Sequence, residues 1–218
     1  MVWRALVQRT EVVLDALPAP RWPEGASLEA PRHLAAPWPH TAPLGSATEV
    51  AIELQEAGAA TVLDLVHSGL GEGPVWDDAI GGYFAAWLQA LAALGVLVES
   101  GVDPRPGEAQ RGSERYFASG EIPAGGDATW RALVDPYVLE RWSDGVLDGA
   151  ATSESIEGRF LRLGLPPREP DAPATELTLI LRRTPRGTHL ALAEYGVSGR
   201  EASTRWPPMF ERLARYLG

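Results

Sequence analysis

The stretch "SATEVAIELQEAGAATVLDLVHSGL", residues 46–70, has a counterpart later in the chain, "PATELTLILRRTPRGTHLALAEYGV", residues 173–197. Both keep the alternation of polar and apolar residues that is typical of half-buried strands. They are 127 residues apart (173 − 46), and the same offset aligns Trp3 of "VWRALVQRTEVVLD" with Trp130 of "TWRALVDPYVLERW". A repeat held at one offset predicts a duplicated domain.

Each copy predicts the same order of elements: a helical start, a strand hairpin and a C-terminal helix. This order favours an α+β domain with an antiparallel sheet. The turns of the hairpins are "EAGAAT" and "TPRGT". The side chains expected to face inward are Val50, Ile52, Leu54, Leu63, Leu65 and His67 in the first copy, and Leu177, Leu179, Leu181, Leu190, Leu192 and Glu194 in the second.

The two closing helices are expected to differ in length. Apolar residues from Ile80 to Leu94 recur at helical spacing over several turns, which predicts a long amphipathic helix. The second helix is expected to begin after Trp206, because Pro207 and Pro208 fit only the first turn of a helix.

A stretch between the copies is rich in Gly, Pro and charge. It reads "ESGVDPRPGEAQRGSE" and has no apolar period, so residues 99–114 are predicted to be a linker. The predicted domains are therefore 1–98 and 115–218.

Composition excludes several classes of function. With 19 basic against 29 acidic residues, the net charge of −10 repels phosphate groups, so neither nucleic acid nor a membrane is an expected partner. All 19 basic residues are Arg, which excludes lysine Schiff bases and the P-loop lysine. The chain has no Cys, which excludes thiolate chemistry and cysteine zinc sites and suits a reducing compartment; the cytoplasm is the expected location.

Membrane insertion and export are not expected either. The longest apolar run, Phe84–Val98, is interrupted by Gln89 and is shorter than the ~20 residues of a transmembrane helix, so it predicts a buried helix. Charged residues, among them Arg4 and Asp15, break the continuous apolar stretch that a signal peptide requires.

"EIPAGGDATWRALVDPYVLERW", residues 121–142, resembles the opening of START-like (SRPBCC) helix-grip proteins. The similarity is to the AHSA-type branch, homologues of an activator of a heat-shock chaperone ATPase. "SLEAPRHLAAPWP" and "LDLVHSGLGEGPVWDDAIGGYFAAWLQAL" resemble later motifs of the same family. The residues that carry the first match are Ile122, Pro123, Trp130, Leu133, Asp135, Pro136, Leu139 and Trp142.

The resemblance implies two tandem helix-grip domains, each a curved antiparallel sheet wrapped around a long C-terminal helix with an apolar cavity between them. Two departures from the family pattern follow. The opening strand around "RYFASGEIP" has no counterpart in the first copy, so one sheet edge is expected to be open. Both copies are also shortened, which predicts that the early hairpin is shortened or lost and that the cavities are shallow.

Candidate ligand-binding residues line these expected cavities. His67 could bond a ligand carbonyl or hydroxyl, although a turn-capping histidine bonded to Ser68 is the more frequent reading of such a residue. Its counterpart is Glu194, and aromatic residues at helical spacing are more often plain core than a binding wall. The full set is Ile52, Leu65, His67, Trp76, Tyr83, Trp87, Trp142, Leu179, Leu192, Glu194, Trp206 and Phe210.

Three functions remain open. The leading one is non-catalytic binding of a small apolar molecule, and the alternative is a protein-interaction module, such as a chaperone regulator or stress-associated partner. A cyclase with His67 as its acid–base group comes third, so no enzyme activity is expected. No cofactor or metal is expected either, because the histidines are scattered and "GLGEG" lacks the spacing of a dinucleotide fingerprint. A homodimer is among the expected assemblies.

Overall fold

The computed structural model describes residues 1–10, 22, 24–38, 47–111, 113–167 and 172–218, without the side chain of Asp78. It divides into two units, Met1–Gly101 and Val102–Gly218. The fold class is α+β, because each unit combines an antiparallel sheet with a C-terminal helix, as in the helix-grip class.

The first unit begins with helix α1, Val2–Gln8. Four strands follow in the sheet order β1-β2-β3-β4, and α2 closes the unit. Their bounds are Ser27–Glu29 for β1, His33–Trp38 for β2, Thr48–Ala57 for β3, Ala60–Ser68 for β4 and Pro74–Ser100 for α2.

The second unit has one more strand in its sheet, β5, which pairs with β9 and lies at the edge of the order β5-β9-β8-β7-β6. Two short helices separate β5 from the other strands, and α5 closes the unit. The bounds are Arg115–Ile122 for β5, Gly126–Val134 for α3, Pro136–Ser143 for α4, Ala151–Ile156 for β6, Phe160–Leu165 for β7, Thr175–Thr184 for β8, Gly187–Tyr195 for β9 and Gly199–Leu217 for α5.

The two sheets share their pairing register at the offset of 127 residues. β2, β3 and β4 each begin 127 residues before β7, β8 and β9. Ile52 pairs with Leu65, as Leu179 pairs with Leu192. The early hairpins are present in both units, although β1 has only three residues.

An irregular backbone bond is repeated as well. The N–H of Leu54 donates to the carbonyl of Arg32 at 2.8 Å, and the N–H of Leu181 donates to the carbonyl of Arg159 at 2.8 Å. Correspondence extends therefore from the strands to the turns beside them.

The segment between the units is more ordered than a linker. Glu99 and Ser100 form the last turn of α2. Further on, the N–H of Gly107 donates to the Glu176 carboxylate at 3.0 Å, and a guanidinium N–H of Arg162 donates to the carbonyl of Asp103 at 2.8 Å. These bonds fasten the segment to the sheet of the second unit, which is why it does not behave as a free tether.

Helix α5 begins eight residues earlier than the prolines predict. Ser198 caps its N-terminus, with its side-chain oxygen accepting from the N–H of Glu201 at 3.3 Å. Pro207 and Pro208 lie inside the helix and are exposed, so the carbonyls that lose their N–H partner face solvent, where water satisfies them.

Burial of the inward faces differs between the units. The β3 positions predicted to face inward, Val50, Ile52 and Leu54, are buried. The corresponding β4 side chains, Leu63, Leu65 and His67, are only half-buried. All six inward positions of β8 and β9 are buried, so the second unit has the more completely covered core.

One helix in the described part of the chain, α2, is long and apolar enough by length and composition to cross a bilayer. Half of its most apolar window is buried inside the protein. Core helices of water-soluble domains meet the same test, so this feature alone is weak support for a membrane location.

Candidate functional site

In the first unit the predicted polar residue, His67, lies at the centre of a cluster of rings. Its Nε2 is 3.0 Å from Oγ1 of Thr48, and its Nδ1 accepts from Nε1–H of Trp87 at 3.3 Å. The ring of Tyr83 lies 4.8 Å from the imidazole, centroid to centroid. Three of the predicted ligand-binding residues are thus brought together, and α2 supplies two of them.

These contacts define the protonation state of His67. The indole N–H of Trp87 can only donate, so Nδ1 carries no proton and Nε2–H donates to Thr48. Burial lowers the pKa of the imidazole, which also favours the neutral form. Both ring nitrogens have protein partners, and neither partner is Ser68, whose hydroxyl donates to the carbonyl of Glu49.

Sequence reasoning missed two members of the cluster. Trp38 lies at the end of β2, with its ring 5.2 Å from that of Trp87, and Trp22 lies 6.5 Å from Trp38. The signal available in the sequence was the apolar alternation of "HLAAPW", which ends on Trp38. Trp76 is buried against Gly71 at the start of α2, and no ring contact within the described residues joins it to this cluster.

In the second unit the equivalent polar residue, Glu194, is fully buried, with 0% of its side chain exposed. Its carboxylate accepts from Nε1–H of Trp206 at 2.7 Å and from the hydroxyl of Thr175 at 3.2 Å, and it forms an ion pair with Arg205. Arg205 also lies over the ring of Trp206, 5.3 Å from its centroid. The carboxylate is therefore neutralised and bonded entirely within the protein.

The two clusters share one plan. A threonine at the start of the third common strand, Thr48 or Thr175, bonds a polar residue on the next strand, His67 or Glu194. A tryptophan of the C-terminal helix donates its indole N–H to the same polar residue. Since a buried polar group requires such partners, the arrangement joins the helix to the sheet in both units.

An apolar cavity of about 20 Å³ lies between sheet and helix in the second unit. Five predicted residues line it, together with five more that were not predicted. The lining is Leu133, Trp142, Leu147, Leu179, Leu190, Leu192, Trp206, Met209, Phe210 and Leu213. This volume is close to that of a single water molecule and far below the ~300 Å³ of a ligand pocket.

Apolar side chains are exposed mainly on the first unit. Val62 and Val66 lie on β4, where Val66 is 60% exposed, and Ile80 and Phe84 lie on α2, where Phe84 is 64% exposed. Phe84 directly follows Tyr83, whose ring contacts His67 of β4. We call these four residues the β4-side surface.

The described residues offer little for catalysis. Thr48 is the hydroxyl bonded to His67, but a buried threonine held by a histidine that accepts from Trp87 has no free base beside it. No group of three or more His, Asp or Glu residues within the described ranges could hold a metal ion.

Comparison with known proteins gives similarity at the level of fold. No protein-family model matches the chain, and no curated protein matches it either. Protein MLL2253 from Mesorhizobium loti is 22% identical, over 48% of this chain and 96% of its own length, with a TM-score of 0.40.

Two further solved structures show a comparable similarity. CalU16 from Micromonospora echinospora is 20% identical, over 49% of this chain and 77% of its own length, with a TM-score of 0.41. The Aha1 dimer from Colwellia psychrerythraea is 12% identical, over 48% of this chain and 96% of its own length, also with a TM-score of 0.41.

Proposed function

We propose that the chain is a non-catalytic protein-interaction module and that the β4-side surface of the first unit is its contact surface. The exposure of Val66 and Phe84 carries this proposal. Exposed aliphatic and aromatic side chains gathered beside one strand are typical of interaction sites. Phe84 is the candidate for the residue that contributes most to binding, because aromatic anchors dominate interface energies.

The polar clusters support a structural role rather than a catalytic one. A ligand that used His67 would have to replace Thr48 or Trp87, and one that used Glu194 would have to separate it from Arg205. Breaking either set leaves buried polar groups without partners, which is costly. We place the module in the cytoplasm, with neither nucleic acid nor membrane as its partner, on the strength of its charge and its lack of cysteine.

We also propose that the two units descend from one duplicated domain. The constant offset in strand bounds, pairing register and the Thr–polar–Trp clusters supports this. Duplication with divergence explains how the same position holds His67 in one copy and Glu194 in the other.

The interaction surface can be tested by crosslinking and quantitative mass spectrometry of partners recovered with the intact chain. We expect Phe84→Ser to lower the recovery of a specific partner at least tenfold, because loss of an aromatic anchor costs about 2 kcal/mol. Tyr137→Ser is the matched control, since Tyr137 is 80% exposed on the second unit. Equal recovery by both variants would remove the proposal.

Binding of a small apolar molecule in the second unit is the second candidate, favoured by the wholly apolar lining of its cavity. The cavity would have to open, and Phe210 is the half-buried side chain placed to allow it. Native mass spectrometry with a fatty acid as probe, on wild type, Phe210→Ala and the exposed control Tyr216→Ala, tests this. Binding strengthened only by Phe210→Ala supports the candidate, and no adduct with any variant excludes it for that probe.

A further inference from the structure

We propose that the free edge of β4 binds an extended segment of a partner protein, which adds a fifth antiparallel strand where β5 lies in the second unit. This inference rests on the proposed function and specifies the partner's conformation and chemistry. It follows from the direction of the backbone groups of β4, from the burial of its side chains and from the charges beside it.

The backbone of β4 presents donors away from the sheet. The N–H of Leu54 bonds towards β2, so its neighbours Glu53 and Gln55 bond towards β4, to Asp64 and Val62. Because hydrogen bonding alternates along an antiparallel strand, the intervening residues of β4 point their N–H and C=O groups outward. These are Thr61, Leu63, Leu65 and His67, and no backbone partner for them lies in the described part of the chain.

The second unit shows what occupies this position when a strand is present. The equivalent residues are Thr188, Leu190, Leu192 and Glu194, and they pair with Ile122, Gly120, Ala118 and Tyr116 of β5. All four are buried, whereas their first-unit counterparts are half-buried or exposed. The half-buried inner side chains of β4 are the surface that an added strand would cover.

The β4 edge lacks the usual protection against pairing. Natural edge strands are short, bulged, covered, or carry Lys or Pro. β1 has three residues, β6 is bulged between Thr152 and Glu154, and α5 lies against β5 at Gly120. β4 is nine residues long with an unbroken register and one charged side chain, Asp64. Such an edge suits a strand-binding site.

Charge on the outer face indicates the chemistry of the partner. Glu29, His33, Glu53 and Asp64 are aligned across the four strands in one row. The row carries three carboxylates, and its last member, Asp64, is exposed at the free edge. A cationic residue of the partner opposite Asp64 would extend the row with a favourable cross-strand pair.

The inner face indicates the alternate residues. In the second unit the residues opposite Glu194, Leu192 and Leu190 are Tyr116, Ala118 and Gly120. We therefore infer a partner strand with an aromatic residue opposite His67, small residues opposite Leu65 and Leu63, and a cation between them on the outer face. Small residues are required because α2 lies beneath the strand, as α5 lies beneath Gly120.

A second copy of this chain fits the edge less well. If two β4 strands paired about a two-fold axis with all four outward residues bonded, Thr61 would face His67 and Leu63 would face Leu65. That register places Asp64 directly opposite Asp64 in the closer type of pair, and like charges at that position are destabilising.

The test uses the intact chain and a synthetic peptide with the sequence of β5, RYFASGEI, residues 115–122. Amide hydrogen exchange followed by NMR is measured with and without the peptide. We expect at least tenfold slower exchange at Thr61, Leu63, Leu65 and His67, with the amides of β9 unchanged.

N-methylation supplies a matched control. Methyl groups on the amides of Ala118 and Gly120 of the peptide remove bonds towards the edge, and should abolish the protection. Methyl groups on Phe117 and Ser119 modify amides that point away, and should preserve it. Equal effects of the two peptides would overturn the inference.

The charge prediction uses two further peptides. Ser119 lies opposite Ala191, the counterpart of Asp64, so a Ser119→Lys peptide should bind roughly two- to fivefold more tightly than a Ser119→Glu peptide. The difference should disappear with the Asp64→Asn protein.

The remaining outcomes separate the two proposals. Protection of the β4 amides in the free chain at low concentration would mean that another segment of the chain occupies the edge, and protection that grows with protein concentration would mean a second copy. Either result overturns the strand inference, as does absence of peptide binding. Loss of a partner with Phe84→Ser would still support the proposed function in each of these cases.

Discussion

The two units place the same strand in different surroundings. β9 has neighbours on both sides and its inward residues, Leu190, Leu192 and Glu194, are buried, whereas β4 pairs with β3 alone among the described residues. The inward residues of β4 are half-buried although two of the three are the same amino acid. Burial at these positions is therefore set by the neighbouring strand rather than by the residue type.

The polar position shows the chemical side of this difference. Glu194 lies where water is excluded, and an unpaired carboxylate there would be very unfavourable, so Arg205 neutralises it. His67 lies beside an incomplete sheet and remains neutral with two hydrogen bonds. The same helix-to-sheet connection is thus ionic in the closed unit and uncharged in the open one.

Removal of the buried carboxylate should have the largest effect. We expect Glu194→Ala to destabilise the second unit by about 3–5 kcal/mol, because Arg205 is left as an uncompensated buried charge. The measurement is urea unfolding followed by NMR signals of each unit. His67→Ala should cost about 1–3 kcal/mol in the first unit, since no charge is exposed by it.

A double variant tests the reason given. Glu194→Leu combined with Arg205→Met removes both charges and should recover most of the stability lost by Glu194→Ala. If the double variant were as unstable as the single one, the ion pair would not be the cause.

Glycine at position 187 should be the next most sensitive difference. Gly187 has a φ of 144°, and a Cβ there would lie 2.2 Å from the carbonyl oxygen of Ile122 in β5. We expect Gly187→Ala to destabilise the second unit by about 2–3 kcal/mol, measured by the same unfolding experiment.

The equivalent residue of the first unit is Ala60, beside which no strand like β5 lies in the described residues. Ala60→Gly should cost only about 0.5–1 kcal/mol, from the added freedom of the unfolded chain. Similar losses for the two substitutions would contradict the contrast between the closed and open edges.

The smallest expected effect is on pH dependence. Because burial lowers the pKa of His67 below its ordinary 6.5, the unfolded chain binds a proton before the folded chain does. Stability of the first unit should therefore be complete above pH 6.5 and fall as the pH drops below it, by at most about 1.4 kcal/mol per pH unit. Unfolding at pH 7.5 and 5.5 measures this.

His67→Gln provides the control, since a glutamine side chain keeps hydrogen-bonding capacity without titrating in this range. It should remove the additional loss of stability in the first unit at pH 5.5. An unchanged pH dependence in this variant would assign the effect to another group.

Much of this fold could be predicted from the sequence because strand alternation and the repeat are local patterns. The offset that aligns Thr48 with Thr175 also aligns the strands themselves, and the missing strand before β4 agrees with the lack of a counterpart to "RYFASGEIP". The start of α5 was predicted wrongly, because exposure of Pro207 and Pro208 on the solvent side of a helix depends on tertiary packing.

The candidate site was only partly predictable. Alternation identified His67 and Glu194 as inward residues, but hydrogen-bond partners 19 residues away, Thr48 and Thr175, are set by register. Arg205 was not foreseen, since a residue in an exposed-looking helical turn gives no sign of pairing with a buried carboxylate. The size of a cavity depends on packing in three dimensions and does not follow from sequence alternation.

Amide hydrogen exchange of the free chain at low concentration tests the contrast between the two edges most directly. We predict fast exchange at Thr61, Leu63, Leu65 and His67, and exchange slower by at least two orders of magnitude at Thr188, Leu190, Leu192 and Glu194, because β5 protects only the second set. Equal protection of the two sets would contradict an open β4 edge and, with it, the assignment of the first unit as the binding unit.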